Sequence, residues 1–168
     1  TQTAALGCGG YGGSPETVKA NTFEYDGTNW TNGGGLNVNR AFLGGTGTLT
    51  AGLVFGGGSG GTGGPTATEE YNGTSWTAAN VLPESNTSMA AIGIQTAALS
   101  AGGDPAGARD SSVEYDGTNW TAGNNMNGNR GQQAGCFGTQ TSAVVVSGNA
   151  PPGNNAVTSS EQYDGTSF

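Results

Sequence analysis

One octapeptide constrains this chain more than any other feature. Glu114-Tyr115-Asp116-Gly117-Thr118-Asn119-Trp120-Thr121 also stands, letter for letter, at Glu24 to Thr31. It returns as Glu70-Tyr71-Asn72-Gly73-Thr74-Ser75-Trp76-Thr77, and as Gln162-Tyr163-Asp164-Gly165-Thr166-Ser167-Phe168. The tyrosines at 25, 71, 115 and 163 are spaced by 46, 44 and 48 residues. At such a period each unit is one supersecondary element that buries its apolar face only by stacking on a neighbour.

The octapeptide itself predicts a hairpin. Asp-Gly or Asn-Gly between aromatic residues favours a tight turn, because these residues tolerate positive φ. Tyr then ends one strand and Trp begins the next. The pairs Tyr25/Trp30, Tyr71/Trp76, Tyr115/Trp120 and Tyr163/Phe168 are read as scaffold anchors, the alternative being a ring platform for a ligand.

A second anchor recurs out of phase with the first. It reads Thr1-Gln2-Thr3-Ala4-Ala5-Leu6, Thr48-Leu49-Thr50-Ala51-Gly52-Leu53, Ile94-Gln95-Thr96-Ala97-Ala98-Leu99 and Thr139-Gln140-Thr141-Ser142-Ala143-Val144. Each copy leads to a small pair: Gly9-Gly10, Gly56-Gly57, Gly102-Gly103 or Ser147-Gly148. From Arg40 one full unit is expected to run as follows: strand at Phe42 to Gly45, turn at Thr46 to Thr48, strand at Leu49 to Phe55. A loop through Pro65, a strand at Thr66 to Tyr71, the Asn72-Gly73 turn and a strand at Trp76 to Ala78 complete it. No stretch shows helical i, i+3, i+4 apolar spacing. The first unit lacks its innermost strand and the last stops where its outermost would begin, which predicts fourteen strands.

A glycine doublet after an apolar strand, then Tyr, then Trp five residues on, resembles the kelch repeat. Arg40 and Arg130, each fifteen residues after its Tyr, belong to the same pattern, and the third such place holds Asn86, preceded by Pro83-Glu84. The resemblance covers residues 1–168 as a single segment. It implies an all-β, kelch-type β-propeller: four repeats of about 46 residues forming four-stranded antiparallel blades, the first and last incomplete. It also implies Arg-mediated ties between blades, with Asn86 breaking the pattern. Further blades are expected from a longer chain or from another copy. The wording of the repeats is similar to kelch-like proteins of marine bacteriophages, which implies a virion or tail-fibre component.

Composition narrows the function. Four basic residues stand against twelve acidic ones, for a net charge of −8, so nucleic acid and anionic membrane surfaces are not expected partners. No apolar run is long enough for a membrane-spanning helix. The sequence has no histidine, which removes the commonest general base and metal ligand. The copper of galactose-oxidase-like kelch enzymes is therefore not carried over. Glu69 and Glu70, neighbours on a strand, point to opposite faces. Glu24, Glu70 and Glu114 are read as a solvated or turn-bonded face. Asp26, Asp116 and Asp164 could offer oxygen to calcium, but without Asp-x-Asp spacing each is read as a turn residue bonded to its own backbone. Cys8 and Cys136 fall at unlike positions of different repeats and are read as buried free thiols. No cofactor and no metal is expected, and the chain is read as non-enzymatic.

What varies between repeats lies in the segments after the glycine doublets. In a four-stranded meander the near-identical turns gather at one end and these variable segments at the other. Variable loops on a rigid scaffold are where binding resides. Candidate binding residues are Tyr11, Glu16, Lys19, Asp104, Arg109, Asp110, Asn154 and Asn155, a set of polar groups with one ring that suits a glycan or a wet protein contact. The expected role is a structural or adhesion module of a virion (tail fibre, spike or capsid decoration), extracellular, contacting a cell-surface glycan, other virion proteins or further copies of itself. The alternative is a kelch-type adaptor for a protein partner.

Overall fold

The computed structural model describes residues 3–13, 17–58, 66–104, 107–132, 134–150 and 155–168, and contains no helix among them. The first sheet holds β1 (Ala5–Cys8), β4 (Thr22–Tyr25) and β5 (Trp30–Asn32), with a small ribbon, β2 (Tyr11–Gly12) and β3 (Thr17–Val18), rising from the β1–β4 connection. The second sheet is β6 (Gly44–Thr48), β7 (Ala51–Phe55), β8 (Thr68–Tyr71) and β9 (Trp76–Ala79). The third is β10 (Ala90–Ile94), β11 (Ala97–Ala101), β12 (Ser112–Tyr115) and β13 (Trp120–Ala122). The fourth is β14 (Gly135–Thr139), β15 (Ser142–Val146) and β18 (Ser160–Tyr163), with a second ribbon, β16 (Asn149–Ala150) and β17 (Asn155–Ala156). Every pairing is antiparallel and follows chain order, so each sheet is a meander. The sheets of three, four, four and three strands supply the fourteen strands that the repeat predicts.

Several strand bounds differ from the sequence reading: the third strand of the full unit begins at Thr68 rather than Thr66, and the fourth ends at Ala79 rather than Ala78. The first strand of the full unit runs over Gly44–Thr48, and the turn is Leu49-Thr50 rather than Thr46 to Thr48. The reason is Gly47, which stays in the ladder opposite Gly52 at φ 105°. A Cβ there would meet the Ala51 carbonyl oxygen at 2.2 Å, and Gly93 and Gly138 repeat that 2.2 Å approach in the next two sheets. Glycine here reads as a breaker, yet it holds the strand pair together at a point no side chain can enter.

The core lies between sheets. Leu36, Val54, Tyr71 and Trp76 fill the space between the first and second. Leu53, Phe55, Leu82, Met89, Ala98 and Tyr115 fill the next. Ile92, Leu99, Met126, Val145 and Tyr163 are central to the last. The first strands β6, β10 and β14 adjoin one another in series. Both cysteines are partly buried and free. Burial pushes the Cys8 thiol up to about 11.

Candidate binding face

The variable loops are carried on sheets joined by a repeating set of side-chain ties. Arg40 crosses from the first to the second sheet and is fully buried. It donates to the Gly56 carbonyl at 3.1 Å, the Ala67 carbonyl at 2.6 Å and Glu69 Oε1 at 2.7 Å. Burial pulls its guanidinium below the ordinary range, with the Glu69 charge opposing. Asn37, three residues earlier, donates its backbone N–H and its side-chain amide to Glu69 Oε2, both at 2.8 Å.

Arg130 repeats the arrangement toward Glu161 at 2.9 Å, with the Ser147 and Ser159 carbonyls each at 2.9 Å. Asn127 stands where Asn37 does and donates to Glu161 at 2.6 and 2.9 Å. Burial would raise the Glu161 carboxyl, but the Asn127 and Arg130 donors outweigh it and hold it low. At the middle boundary all three places change together. Pro83, Asn86 and Val113 replace the Asn, Arg and Glu, and Asn86 donates to the Gly102 carbonyl at 2.7 Å with no charge buried. The departure at Asn86 is thus matched by its partners: an unpaired buried carboxylate would be costly, and Val113 avoids it.

The recurrent glutamates correct the sequence reading. Glu24, Glu70 and Glu114 do not form a solvated face. Each accepts the hydroxyl of the tyrosine one sheet on: Tyr71 donates to Glu24, Tyr115 to Glu70 at 2.8 Å, and Tyr163 to Glu114. Burial first, then these carboxylates, raise all three phenols. Trp76 Nε1 donates to Thr22 at 2.8 Å and Trp120 Nε1 to Thr68 at 2.9 Å. In the last pair Phe168 has no N–H, and Ser112, in the threonine's place, donates instead to the Asn124 carbonyl at 2.8 Å. Gln95 reaches the Gly52 and Tyr71 carbonyls, and Gln140 those of Ala98 and Tyr115. The turn aspartates bond their own loops: Asp26 Oδ1 accepts from Thr28 and Asn29 at 2.8 Å, and Asp116 and Asp164 do likewise.

Glu16 and Asn154 lie outside the described residues. Tyr11 and Lys19 sit together on and beside the β2–β3 ribbon, where Tyr11 is about half exposed and Lys19 Nζ donates to Thr17 at 2.7 Å. Asp104 and Arg109 join loops to one another. Asp104 Oδ1 accepts from Gly107 N–H at 2.8 Å and Oδ2 from Gln132 at 3.0 Å, while Arg109 pairs with Glu84 at 2.7 Å. The Asp110 carbonyl accepts from Met126 N–H at 2.7 Å. Asn155 begins β17 on the second ribbon, exposed. Among the described residues, Tyr11 and Lys19 go with one ribbon and Asp104 and Arg109 with the central connections.

Sequence reasoning missed Phe42. Its ring is half exposed, 6.4 Å from that of Tyr11, on a backbone at φ 56°. The sequence reading places Phe42 inside a strand, whereas it lies in the connection two residues ahead of β6.

No protein-family model matches the chain, and no curated protein is significantly similar to it.

Proposed function

We propose that this chain is a non-enzymatic binding module: consecutive blades of a kelch-type β-propeller whose variable connections form the contact surface. In keeping with the phage-like wording of its repeats, it would serve a virion as fibre, spike or capsid decoration and engage a host glycan or a neighbouring virion protein. One observation carries the reading. The side chains that recur in the repeat are spent on joining sheets, as with Tyr115 on Glu70 and Trp120 on Thr68, so function is left to what does not recur. The net charge of −8 and the absence of histidine favour recognition over nucleic-acid contact or His-dependent catalysis.

The test replaces the segments 11–19, 104–110 and 149–155 with the Gly58–Pro65 sequence and measures attachment to host cells alongside thermal unfolding. The expected result is lost attachment with unfolding preserved. Unchanged attachment would move the function away from these loops.

A further inference from the structure

Resting on that reading, we propose that Tyr11 and Phe42 form a stacking site for the ring face of a neutral hexose. Tyr11 is 49% exposed and Phe42 50%, and their centroids lie 6.4 Å apart at an interplanar angle of 34°. The tilt leaves ring surface of both open, unlike the anchor pair Tyr71 and Trp76, which is buried. The two rings come from different units, Tyr11 from the β2–β3 ribbon and Phe42 from the connection into β6. Backbone bonds hold both bases: Lys19 N–H to the Gly10 carbonyl at 2.9 Å and Ser88 N–H to the Phe42 carbonyl at 2.8 Å.

The fold does not ask for an aromatic at position 42. The matching place in the next connection is Ser88, with nearly the same backbone, φ 55° against 56°. A bulky residue in this left-handed region is uncommon and strained, and such strain collects at ligand clamps. The electron-rich ring faces suit the polarised C–H groups of a pyranose face, and Tyr adds a hydroxyl that can bond a sugar hydroxyl. Such rings also give large contact area at low entropic cost. A neutral sugar is favoured over an acidic one, because the chain carries −8.

The experiment titrates the methyl glycosides of glucose, galactose and mannose into the protein and follows binding by saturation-transfer NMR. At least one glycoside should bind and compete with cell attachment. Tyr11→Ala and Phe42→Gly should each weaken it tenfold or more, and Phe42→Gly should leave the unfolding temperature unchanged or higher, since it relieves the backbone. Two results overturn the site: no glycoside binds or competes although the loop exchange abolishes attachment, which would indicate a protein ligand; or a glycoside binds equally well to the Tyr11→Ala/Phe42→Gly variant. Attachment that survives the loop exchange contradicts the wider functional reading instead.

Discussion

The Tyr115 hydroxyl donates to Glu70 Oε1 at 2.8 Å across the boundary between the second and third sheets. The two residues are 45 apart in sequence and belong to the same octapeptide, one repeat on. Tyr115→Phe removes this charge-assisted bond and keeps the ring. Chemical denaturation should show a loss of about 1.5–3 kcal/mol, the range for a hydrogen bond to a charged group. No loss would mean that the ring alone joins the sheets.

Trp76 is buried against Tyr71, with ring centroids 4.8 Å apart, and its N–H is bonded to Thr22. Trp76→Ala should cost about 3–5 kcal/mol, as for other buried aromatics. Trp30, at the same place in the first unit, is 56% exposed. Trp30→Ala in this chain should cost much less, and the difference between the two midpoints measures what the inter-sheet position contributes.

Titration should destabilise the fold at both ends of the pH scale. The phenols of Tyr71, Tyr115 and Tyr163 are raised in the folded state by burial and by their glutamates. Their contribution is complete below the unfolded tyrosine value, about 10, and falls as pH rises beyond it. The carboxyls of Asp26, Asp116 and Asp164 are lowered by loop N–H groups. Theirs is present above the unfolded value, about 3.9, and is lost as pH falls through the folded one. Melting temperature against pH should fall above about pH 10 and below about pH 4; Tyr115→Phe should flatten the alkaline limb.

Much of this architecture was legible in the chain. The octapeptide and the Thr-Gln-Thr-Ala stretch placed the antiparallel strands, because aromatic–turn–aromatic spacing and apolar runs ending in Gly-Gly are local signals. The partner of each anchor was not legible. Glu70 lies beside Tyr71 in sequence but serves Tyr115, and strand alternation alone does not say which neighbour a side chain meets. Phe42 escaped for a related reason: its left-handed backbone is imposed by the connection around it, not by its own preference.

Gly102 shows how that packing constrains sequence. At φ 66° a Cβ would meet the Arg130 carbonyl oxygen at 2.3 Å. Gly102→Ala should therefore destabilise by more than the strain of a left-handed residue, itself about 1–2 kcal/mol. Ser147 takes the equivalent place at φ 61°, and Ser147→Gly should be tolerated. A thermal scan of the two variants compares them directly.

The structural core of this account is that the sheets are joined by sets of residues that exchange together, and the middle boundary tests it most directly. Asn86→Arg alone would bury a guanidinium facing Val113 with no carboxylate. Denaturant unfolding should show a loss of about 3–5 kcal/mol, typical of an uncompensated buried charge. Adding Pro83→Asn and Val113→Glu rebuilds the arrangement of Asn37, Arg40 and Glu69, and the triple variant should return to within about 1 kcal/mol of the parent, the surplus being the coupling among the three places. A triple variant as unstable as Asn86→Arg alone would contradict the account.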